Sequence, residues 1–256
     1  MPIEPSEFLG LRFDPLSKEQ VLDRLSRFTS ETPYSYVVTP NVDHLVRLHE
    51  SHDFARSLKP MYETADLCLC DSRILQLLAR ARGVDLPVVP GSELTAQMFD
   101  RLIRPGDRIG IVGGDTDLLE GLRSRYPHID FVQHCPPMGL RSNPAARRAA
   151  ASFIAESGAR FTFIAVGSPQ QEMIATEAKS IPGAKGAALC VGASLEFLTG
   201  KLKRAPKIAQ QLRLEWAHRL LRDPKRMWRR YLVEGPRIFL LTYRWDRPAQ
   251  PRSASK

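Results

Sequence analysis

Short apolar segments alternate with amphipathic helical patterns along most of this 256-residue chain. The apolar segments lie at 34–39, 66–70, 108–114, 129–133, 160–166 and 186–191. Helical patterns follow four of them, at 42–51, 72–81, 115–126 and 143–157. Strands that alternate with helices in this way pair in parallel, because each helix carries the chain back to the starting edge of the sheet. The sequence therefore predicts an α/β fold with a mostly parallel sheet and helices on both faces.

Charge is distributed unevenly along the chain. From residue 201 onward there are 16 Lys and Arg against 4 Asp and Glu, a balance of +12. The first 200 residues carry 21 against 24, a balance of −3. All three tryptophans, Trp216, Trp228 and Trp245, lie in the basic part. A basic and aromatic segment of this kind suits a polyanion such as nucleic acid, anionic lipid or a diphosphate.

The sequence lacks the patterns of membrane-spanning, secreted and metal-binding proteins. No apolar run approaches the roughly 20 residues of a membrane span, and the first residues show no signal pattern. The four cysteines have no metal-ligand spacing, so we expect reduced, mostly buried thiols in a cytoplasmic protein. His44, His49 and His52 favour a solvated histidine face over a zinc site. We predict neither a metal nor a cofactor.

Several predicted strands end in turns that a ligand can approach. Ligands of open parallel sheets bind beyond the carboxyl ends of the strands. Glycine lets the backbone come close to a ligand, and amides at a helix N-terminus attract phosphate oxygens. Such turns contain Thr39-Pro40-Asn41, Gly113-Gly114, Gly167-Ser168-Pro169 and Gly192-Ala193-Ser194. None matches a dinucleotide or P-loop fingerprint, so a nucleotide site and a purely structural role both stay open.

Acidic residues lie at the predicted junctions between strands and helices. Asp71 directly follows the strand at 66–70, so we expect it at the carboxyl edge of the sheet. A helix cap is the commoner role of an aspartate in this place, and position alone favours it. The helix dipole likewise explains Asp43, Glu93, Glu172 and Glu196.

The basic part of the chain has its own helical patterns. Residues 207–222 and 225–233 predict two amphipathic helices that are separated at Asp223-Pro224. Gly235-Pro236 ends the second, and an apolar pattern resumes at 237–245. We therefore expect a folded body at 1–200, a basic appendage at 201–246 and a disordered tail at 247–256.

Five segments together resemble the signature segments of one enzyme family. They are TPNVDHL (39–45), ADLCLCD (65–71), VGSPQQE (166–172), VGASLEFLTGKLKRAP (191–206) and LEWAHRLLRDPKRMWRRY (214–231). The chain is similar in these segments, and in their order, to the WecG/TagA/CpsF glycosyltransferases, glycosyltransferase family 26. The last two segments are long and specific.

The resemblance implies a fold and an activity. Members of the family have a Rossmann-like α/β domain and move a sugar from a UDP-sugar to a polyprenyl-diphosphate-linked saccharide, inverting the anomeric centre without a metal. They build teichoic-acid linkage units, capsules and exopolysaccharides. A C-terminal helical appendage docks on the membrane. We accordingly expect a UDP-sugar donor, a lipid-linked acceptor and an anionic membrane surface as partners, on the cytoplasmic face of the plasma membrane.

The resemblance also assigns residues by position. Asp71 matches the aspartate proposed as catalytic base, and Thr39, Asn41 and Gln171 match positions near the substrate. The other substrate contacts that we expect are Gly113, Gly114, Gly167, Ser168, Glu196 and Arg204. Three arginines match those that approach the donor diphosphate or the membrane: Arg219, Arg226 and Arg229. The chemistry agrees, because the acceptor hydroxyl needs a base and a diphosphate leaving group needs cations.

The sequence departs from the family pattern near Asp71. Ser72-Arg73-Ile74 replaces the usual Gly-x-Gly, Val88 stands where an arginine is common, and Glu196 stands where aspartate is usual. The contacts to the donor diphosphate should therefore differ, with Arg73 as a candidate replacement. Glu93 is the acidic residue of the family segment that follows the position of Val88. These changes leave the donor sugar open.

Two alternative functions and the oligomeric state stay open. The +12 segment also suits a non-specific nucleic-acid-binding protein. The altered motif after Asp71 suits a catalytically lapsed scaffold of the same fold. The preferred interpretation is the transferase, without nucleic acid as a partner, and a homo-oligomer is left open.

Overall fold

The computed structural model of the chain describes residues 4–202, 220, 221 and 224–246. The strands, in chain order, are β1 (Ser6–Phe8), β2 (Leu11–Phe13), β3 (Ser35–Val38), β4 (Leu67–Cys68), β5 (Arg108–Gly113), β6 (Asp130–His134), β7 (Phe161–Ala165) and β8 (Ala187–Cys190). β1 and β2 form an antiparallel hairpin, and the other six form the main sheet. The last six strands correspond to the six apolar segments of the sequence.

The main sheet is entirely parallel, in the order β4-β3-β8-β7-β5-β6. β3 pairs with β4 on one side and with β8 on the other, where Tyr36 lies opposite Ala188. The fold is therefore Rossmann-like, as predicted. The helix after β3 lies on one face and the helix after β8 on the other, so the β3–β8 junction is a switch point of the kind where ligands bind.

Helices cover both faces of the sheet. In chain order they are α1 (Lys18–Ser26), α2 (Val42–Leu48), α3 (Asp53–Glu63), α4 (Arg73–Ala81), α5 (Gly91–Arg101), α6 (Thr116–Arg125), α7 (Pro144–Glu156), α8 (Gln170–Lys179) and α9 (Ser194–Leu198). A 3₁₀ turn, Leu140–Ser142, precedes α7. α2, α3, α4, α7 and α8 pack into one apolar cluster, and α1, α5, α6 and α9 into a second.

The alternation of side chains along β3 explains the two clusters. Tyr36 and Val38 belong to the first cluster, whereas Val37 belongs to the second. Successive side chains of a strand point to opposite faces, so an apolar strand without polar alternation supplies both cores. This is why the buried strands are continuous apolar runs in the sequence.

The structure contains elements that the sequence did not predict: the β1–β2 hairpin, α1 and α3. Each hairpin strand has three residues, too few to show a period of two. Its turn uses Leu9 and Gly10, which have φ values of 49° and 70°. A two-residue turn with both φ values positive usually contains Asn-Gly or Asp-Gly, so this turn carries no obvious sequence signal.

The described end of the chain packs on the body. It contains α10 (Pro224–Trp228), a π-helical segment (Arg229–Glu234) and α11 (Arg237–Arg244). Gly235-Pro236 separates the last two, as predicted. Ile238 of α11 is 1% exposed in the first cluster, and the Trp245 ring meets Phe8 of β1 edge-on at a centroid distance of 5.1 Å. The hairpin therefore packs against Trp245, the residue that follows α11. Of the helices within the described ranges, none is long and apolar enough to cross a membrane.

Candidate active site

The carboxyl edge of the sheet gathers the loops that the sequence singled out. Because the six strands are parallel, the residues after β3, β4, β5, β7 and β8 lie along one edge. α2, α4, α6 and α8 all begin there, within a few residues of their strands. Helix N-termini carry partial positive charge, so this edge favours an anionic ligand.

Asp71 lies at this edge, and its carboxyl group is tied to another helix. Its backbone amide donates to the carbonyl of Pro40 at 3.0 Å, which joins it to the loop after β3. Its Oδ1 accepts from the backbone amide of Gly91, the first residue of α5, at 3.1 Å. The cap interpretation is wrong for the helix that follows Asp71, because Ser72 caps α4 through the amide of Leu75. Asp71 is half-buried, and the bond from Gly91 holds one of its carboxyl oxygens.

Thr39 and Gly91 meet beside Asp71 at the switch point. The hydroxyl of Thr39 donates to the carbonyl of Cys190 at 3.1 Å, which links the ends of β3 and β8. A Cβ placed on Gly91 would lie 3.1 Å from that hydroxyl and 3.7 Å from the hydroxyl of Ser194. The ends of β3 and β8, with the start of α5, therefore form one tightly packed group around the carboxyl of Asp71.

Asn41 and Gln171 lie on a second group of polar side chains. Asn41 caps α2 by accepting from the amide of Asp43 at 3.1 Å. The Gln171 side chain is 4% exposed and is held at both ends of its amide. Its Oε1 accepts from the amide of Gly192 at 3.0 Å, and its Nε2 donates to Glu172 at 2.9 Å. Gln171 therefore connects the start of α8 to the loop after β8.

The glycines of the predicted site differ in their roles. Gly113 has a φ of 95°, and an added Cβ would lie 2.7 Å from Cγ1 of Val166. Gly114 has a φ of 72°, and its Cβ would meet Leu118 at 2.4 Å. Backbone conformation and packing thus require both glycines without a ligand. Gly167 also has a positive φ, 78°, but a Cβ there would meet nothing within 4 Å.

Ser168 follows Gly167 and carries a contact that the sequence did not predict. Arg47 of α2 donates from Nη1 to the Ser168 hydroxyl at 3.2 Å and from Nη2 to Asp43 at 2.9 Å. The spacing of Asp43 and Arg47, i and i+4 on a helix, was the signal for this pair in the sequence. The bond to Ser168 places the Arg47 guanidinium group at the turn before α8.

The remaining predicted residues are spread more widely. Glu196 is half-buried in α9, with Lys201 nearby, and Lys201 pairs with Asp115, the N-cap of α6. Arg229 pairs with Glu234 at 3.1 Å in the π-helical segment. For Arg226 only the backbone, in α10, is described, and Arg204 and Arg219 lie outside the described residues.

The residues that depart from the family pattern near Asp71, and Glu93 after them, have clear surroundings. Val88 forms a parallel bridge with Cys70, so this segment extends the edge of the sheet beside β4. Glu93 pairs with Lys18 of α1 at 2.6 Å. Arg73 is the first residue of α4 and its side chain is exposed.

The predicted histidine face is wrong for His44. This residue is 7% exposed, and its Nδ1 lies 2.8 Å from Oδ1 of Asn41. Its Nε2 lies 3.7 Å from Oε1 of Glu172, which is 1% exposed. The polar neighbours of His44 at i−3 and on α8 could not be seen in the helical periodicity of 42–51 alone. His49 and His52 are exposed, and His52 caps α3.

Burial dominates the electrostatics beneath this edge. It raises the pKa of the Glu172 carboxyl, against hydrogen bonds from Gln171 and Ser168 and the charge of Arg47. Burial also raises the pKa of the Cys70 thiol to about 12 and that of Cys190 well above its usual value. Cys68, Cys70 and Cys190 are buried thiols, as expected, whereas Cys135 is exposed. In the part of the chain that the structure describes, no three His, Cys, Asp or Glu side chains are grouped to hold a metal ion.

A comparison with protein families agrees with this architecture. The family model described as "Glycosyl transferase WecG/TagA/CpsF family" matches residues 6–252, which is nearly the whole chain. The match includes the Rossmann-like sheet, the edge that carries Asp71 and the basic C-terminal part. The chain belongs to the WecG/TagA/CpsF family of glycosyltransferases, the enzymes of polysaccharide biosynthesis that the signature segments resemble.

Proposed function

We propose that this protein moves a sugar from a UDP-sugar to a polyprenyl-diphosphate-linked saccharide, with inversion and without a metal, in the synthesis of a bacterial surface polysaccharide. The observation that carries the proposal is the place of Asp71. Its carboxyl group lies at the carboxyl edge of a parallel sheet, held by the first amide of α5 beside the β3–β8 switch point.

Asp71 acts as the general base in this mechanism. The acceptor hydroxyl gives its proton to the carboxylate while its oxygen attacks the anomeric carbon of the donor. The bond from that carbon to UDP breaks on the opposite face, and the electron pair leaves with the diphosphate. One displacement of this kind inverts the anomeric centre. The bond to the Gly91 amide keeps the carboxylate in place during the attack.

The diphosphate leaving group needs positive charge as it departs. The described cations near the edge include Arg47 at the Ser168 turn, Arg73 at the start of α4 and Lys201 beside Asp115. α8 begins at the same edge without a side-chain cap, and the partial positive charge of its N-terminus favours phosphate oxygens, although the amide of Gln171 already donates to the carbonyl of Gly167 at 3.0 Å. We expect Arg204, Arg219, Arg226 and Arg229 to add to these cations from the appendage.

The C-terminal part supports membrane contact. Several large apolar side chains there are at least half exposed, beside arginines: Leu221, Trp228, Leu232, Val233, Phe239, Leu240 and Tyr243. Apolar and aromatic side chains between arginines suit the interface of an anionic membrane. The exposed aliphatic side chains in this set favour a membrane-bound transferase over a nucleic-acid-binding protein, because they offer neither charge nor a stacking surface to a nucleic acid.

The test is product formation by the full-length protein. Purified protein is incubated with a panel of UDP-sugars and a short-chain lipid-diphosphate saccharide, and the products are identified by mass spectrometry. The proposal expects one added sugar residue from at least one donor in the presence of EDTA. No transfer from any donor, with or without added divalent metal, would favour the lapsed scaffold.

The membrane part has a separate test. Flotation with vesicles that contain anionic lipid should carry the protein upward, whereas neutral vesicles should carry less. Failure to float, together with DNA binding that weakens steeply with salt, would instead support the nucleic-acid-binding alternative.

A further inference from the structure

A buried pair, His44 of α2 and Glu172 of α8, lies directly beneath two residues of the proposed site. The exposed fractions are 7% and 1%, and Nε2 of His44 is 3.7 Å from Oε1 of Glu172. Such groups are rarely buried, because removing them from water is costly. In the transfer mechanism neither residue touches a reacting atom.

Each member of the pair binds the side chain of a residue that we expect to contact the substrate: His44 binds Asn41, and Glu172 binds Gln171. His44 Nδ1 lies 2.8 Å from Oδ1 of Asn41 and also faces the backbone amide of Asn41 at 3.2 Å. Glu172 Oε1 accepts from Nε2 of Gln171 at 2.9 Å, and this fixes which way the Gln171 amide points. The pair thus connects the loop after β3 to the start of α8.

The tautomer of His44 decides which group of Asn41 its Nδ1 binds. Nδ1 faces an acceptor, Asn41 Oδ1, and a donor, the Asn41 amide, so it serves one of them at a time. When Nδ1 carries a proton, it donates to the side chain of Asn41. When the proton lies on Nε2, which faces Glu172, the side chain of Asn41 loses that donor.

Polar and charged groups from neighbouring elements face the pair. Arg47 and Asp43 come from α2 and are bound to each other, and Tyr62 comes from α3. Cys190 lies on β8, and Ser168 supplies a hydroxyl from the turn before α8. Arg47 is the cation that favours the ionised form of Glu172, against the effect of burial.

We propose that His44 and Glu172 are positioning residues of the transfer site: they fix the orientation of the Asn41 and Gln171 side chains from beneath. This inference rests on the proposed function. A pair that served only to stabilise the fold would lower the melting temperature when replaced by leucines and would leave the kcat/KM of the folded protein unchanged.

The test compares His44→Leu, Glu172→Leu, the double variant and Glu172→Gln. We expect kcat/KM to fall about 10²-fold in Glu172→Leu, as for other losses of alignment, while this variant and the double variant stay folded but melt below the wild type, because the buried Nε2 of Gln171 loses its acceptor. The double variant should lose less than the product of the two single losses, because the residues act as a unit. Glu172→Gln should restore most of the loss, since its amide oxygen still accepts from Gln171.

Glu177→Leu is the matched control, because Glu177 lies on the same helix and pairs with Arg147 at 2.7 Å away from Asn41. It should keep the wild-type kcat/KM. A double variant of His44 and Glu172 with wild-type kcat/KM would overturn the proposal, and so would an equal loss in Glu177→Leu.

A readout without substrate separates this proposal from the proposed function. The NMR signals of the Asn41 and Gln171 side-chain amides should shift in Glu172→Leu and stay in place in Glu177→Leu. If the wild type transfers no sugar, the proposed function fails while these shifts still report on the pair. Unchanged amide signals in Glu172→Leu would overturn the positioning role.

Discussion

At the scale of single residues, the edge of the sheet separates positions that the fold requires from positions that chemistry requires. Gly113 and Gly114 look like ligand-binding glycines in the sequence, yet their neighbours already exclude a side chain. Asp71 looks like a helix cap in the sequence, yet Ser72 caps that helix. In this short turn Ser72 therefore has the structural role of capping α4, which leaves the neighbouring Asp71 for chemistry.

Gly113→Ala should lower the free energy of unfolding by roughly 1–3 kcal/mol, because a Cβ there needs both a disfavoured φ and a shift of Val166. Gly167→Ala is the control: its φ is also positive, but its surroundings are open, so it should cost less. Urea unfolding measures both. Equal losses in the two variants would show that backbone conformation, not packing, decides the cost.

Glu172 should make stability depend on pH in a defined direction. Burial raises its pKa in the folded protein above the ordinary 4.5, so the folded state binds the proton more tightly than the unfolded chain. The contribution of Glu172 to the free energy of unfolding is fully present below pH 4.5 and decreases as the pH rises through the raised pKa.

Unfolding free energies of the wild type and Glu172→Gln over this pH range isolate the contribution. As the pH rises, the free energy of unfolding of the wild type should fall relative to that of Glu172→Gln. A difference that stays constant with pH would contradict the burial effect.

At the scale of elements, α11 is anchored by few residues. Ile238 is 1% exposed in the core, whereas Leu240, two residues later, is 50% exposed. Ile238→Ala should therefore lower the free energy of unfolding by about 2–5 kcal/mol, because it leaves a cavity between α11 and the body. Leu240→Ala should change it far less. Similar melting temperatures for the two variants would mean that α11 contributes little to the folded body.

The sequence predicted the elements whose apolar segment is long enough to show a continuous run or a helical period. The six parallel strands and their carboxyl-edge loops came from continuous apolar runs, since strands buried on both faces have no polar alternation. β1 and β2 were missed because three-residue strands show no period and Leu9-Gly10 is not a usual turn pair. The exposure of His44 was misjudged and its pairing with Glu172 was missed, because the contact joins α2 to α8 across 128 positions of the chain and no local pattern contains it.

At the scale of the whole molecule, the body and the C-terminal part present different surfaces. The body, residues 1–200, has a charge balance of −3, and the remainder has +12 with exposed apolar side chains. The proposed boundary at residue 200 follows this change in charge. α11 nevertheless shares the core of the body through Ile238, so this helix is docked rather than separate.

Phe239→Ser with Leu240→Ser should weaken binding to anionic vesicles by roughly tenfold or more, because two half-exposed apolar side chains no longer enter the interface. Leu77→Ser is the control, since Leu77 is 39% exposed on α4 of the body. Vesicle flotation at several lipid concentrations gives the affinities. Equal weakening by both changes, or by neither, would place the membrane contact elsewhere.

The most direct measurement is the rate of sugar transfer by Asp71→Asn and by Asp117→Asn beside the wild type. Asp117 is an exposed acid in the first turn of α6, at the same edge of the sheet. Asp71→Asn should lower kcat by about 10²–10⁴-fold with little change in melting temperature, because it removes the base and keeps an oxygen for the Gly91 amide. Asp117→Asn should transfer at the wild-type rate. Transfer by Asp71→Asn at that same rate would contradict the central claim that this carboxylate takes the proton of the acceptor.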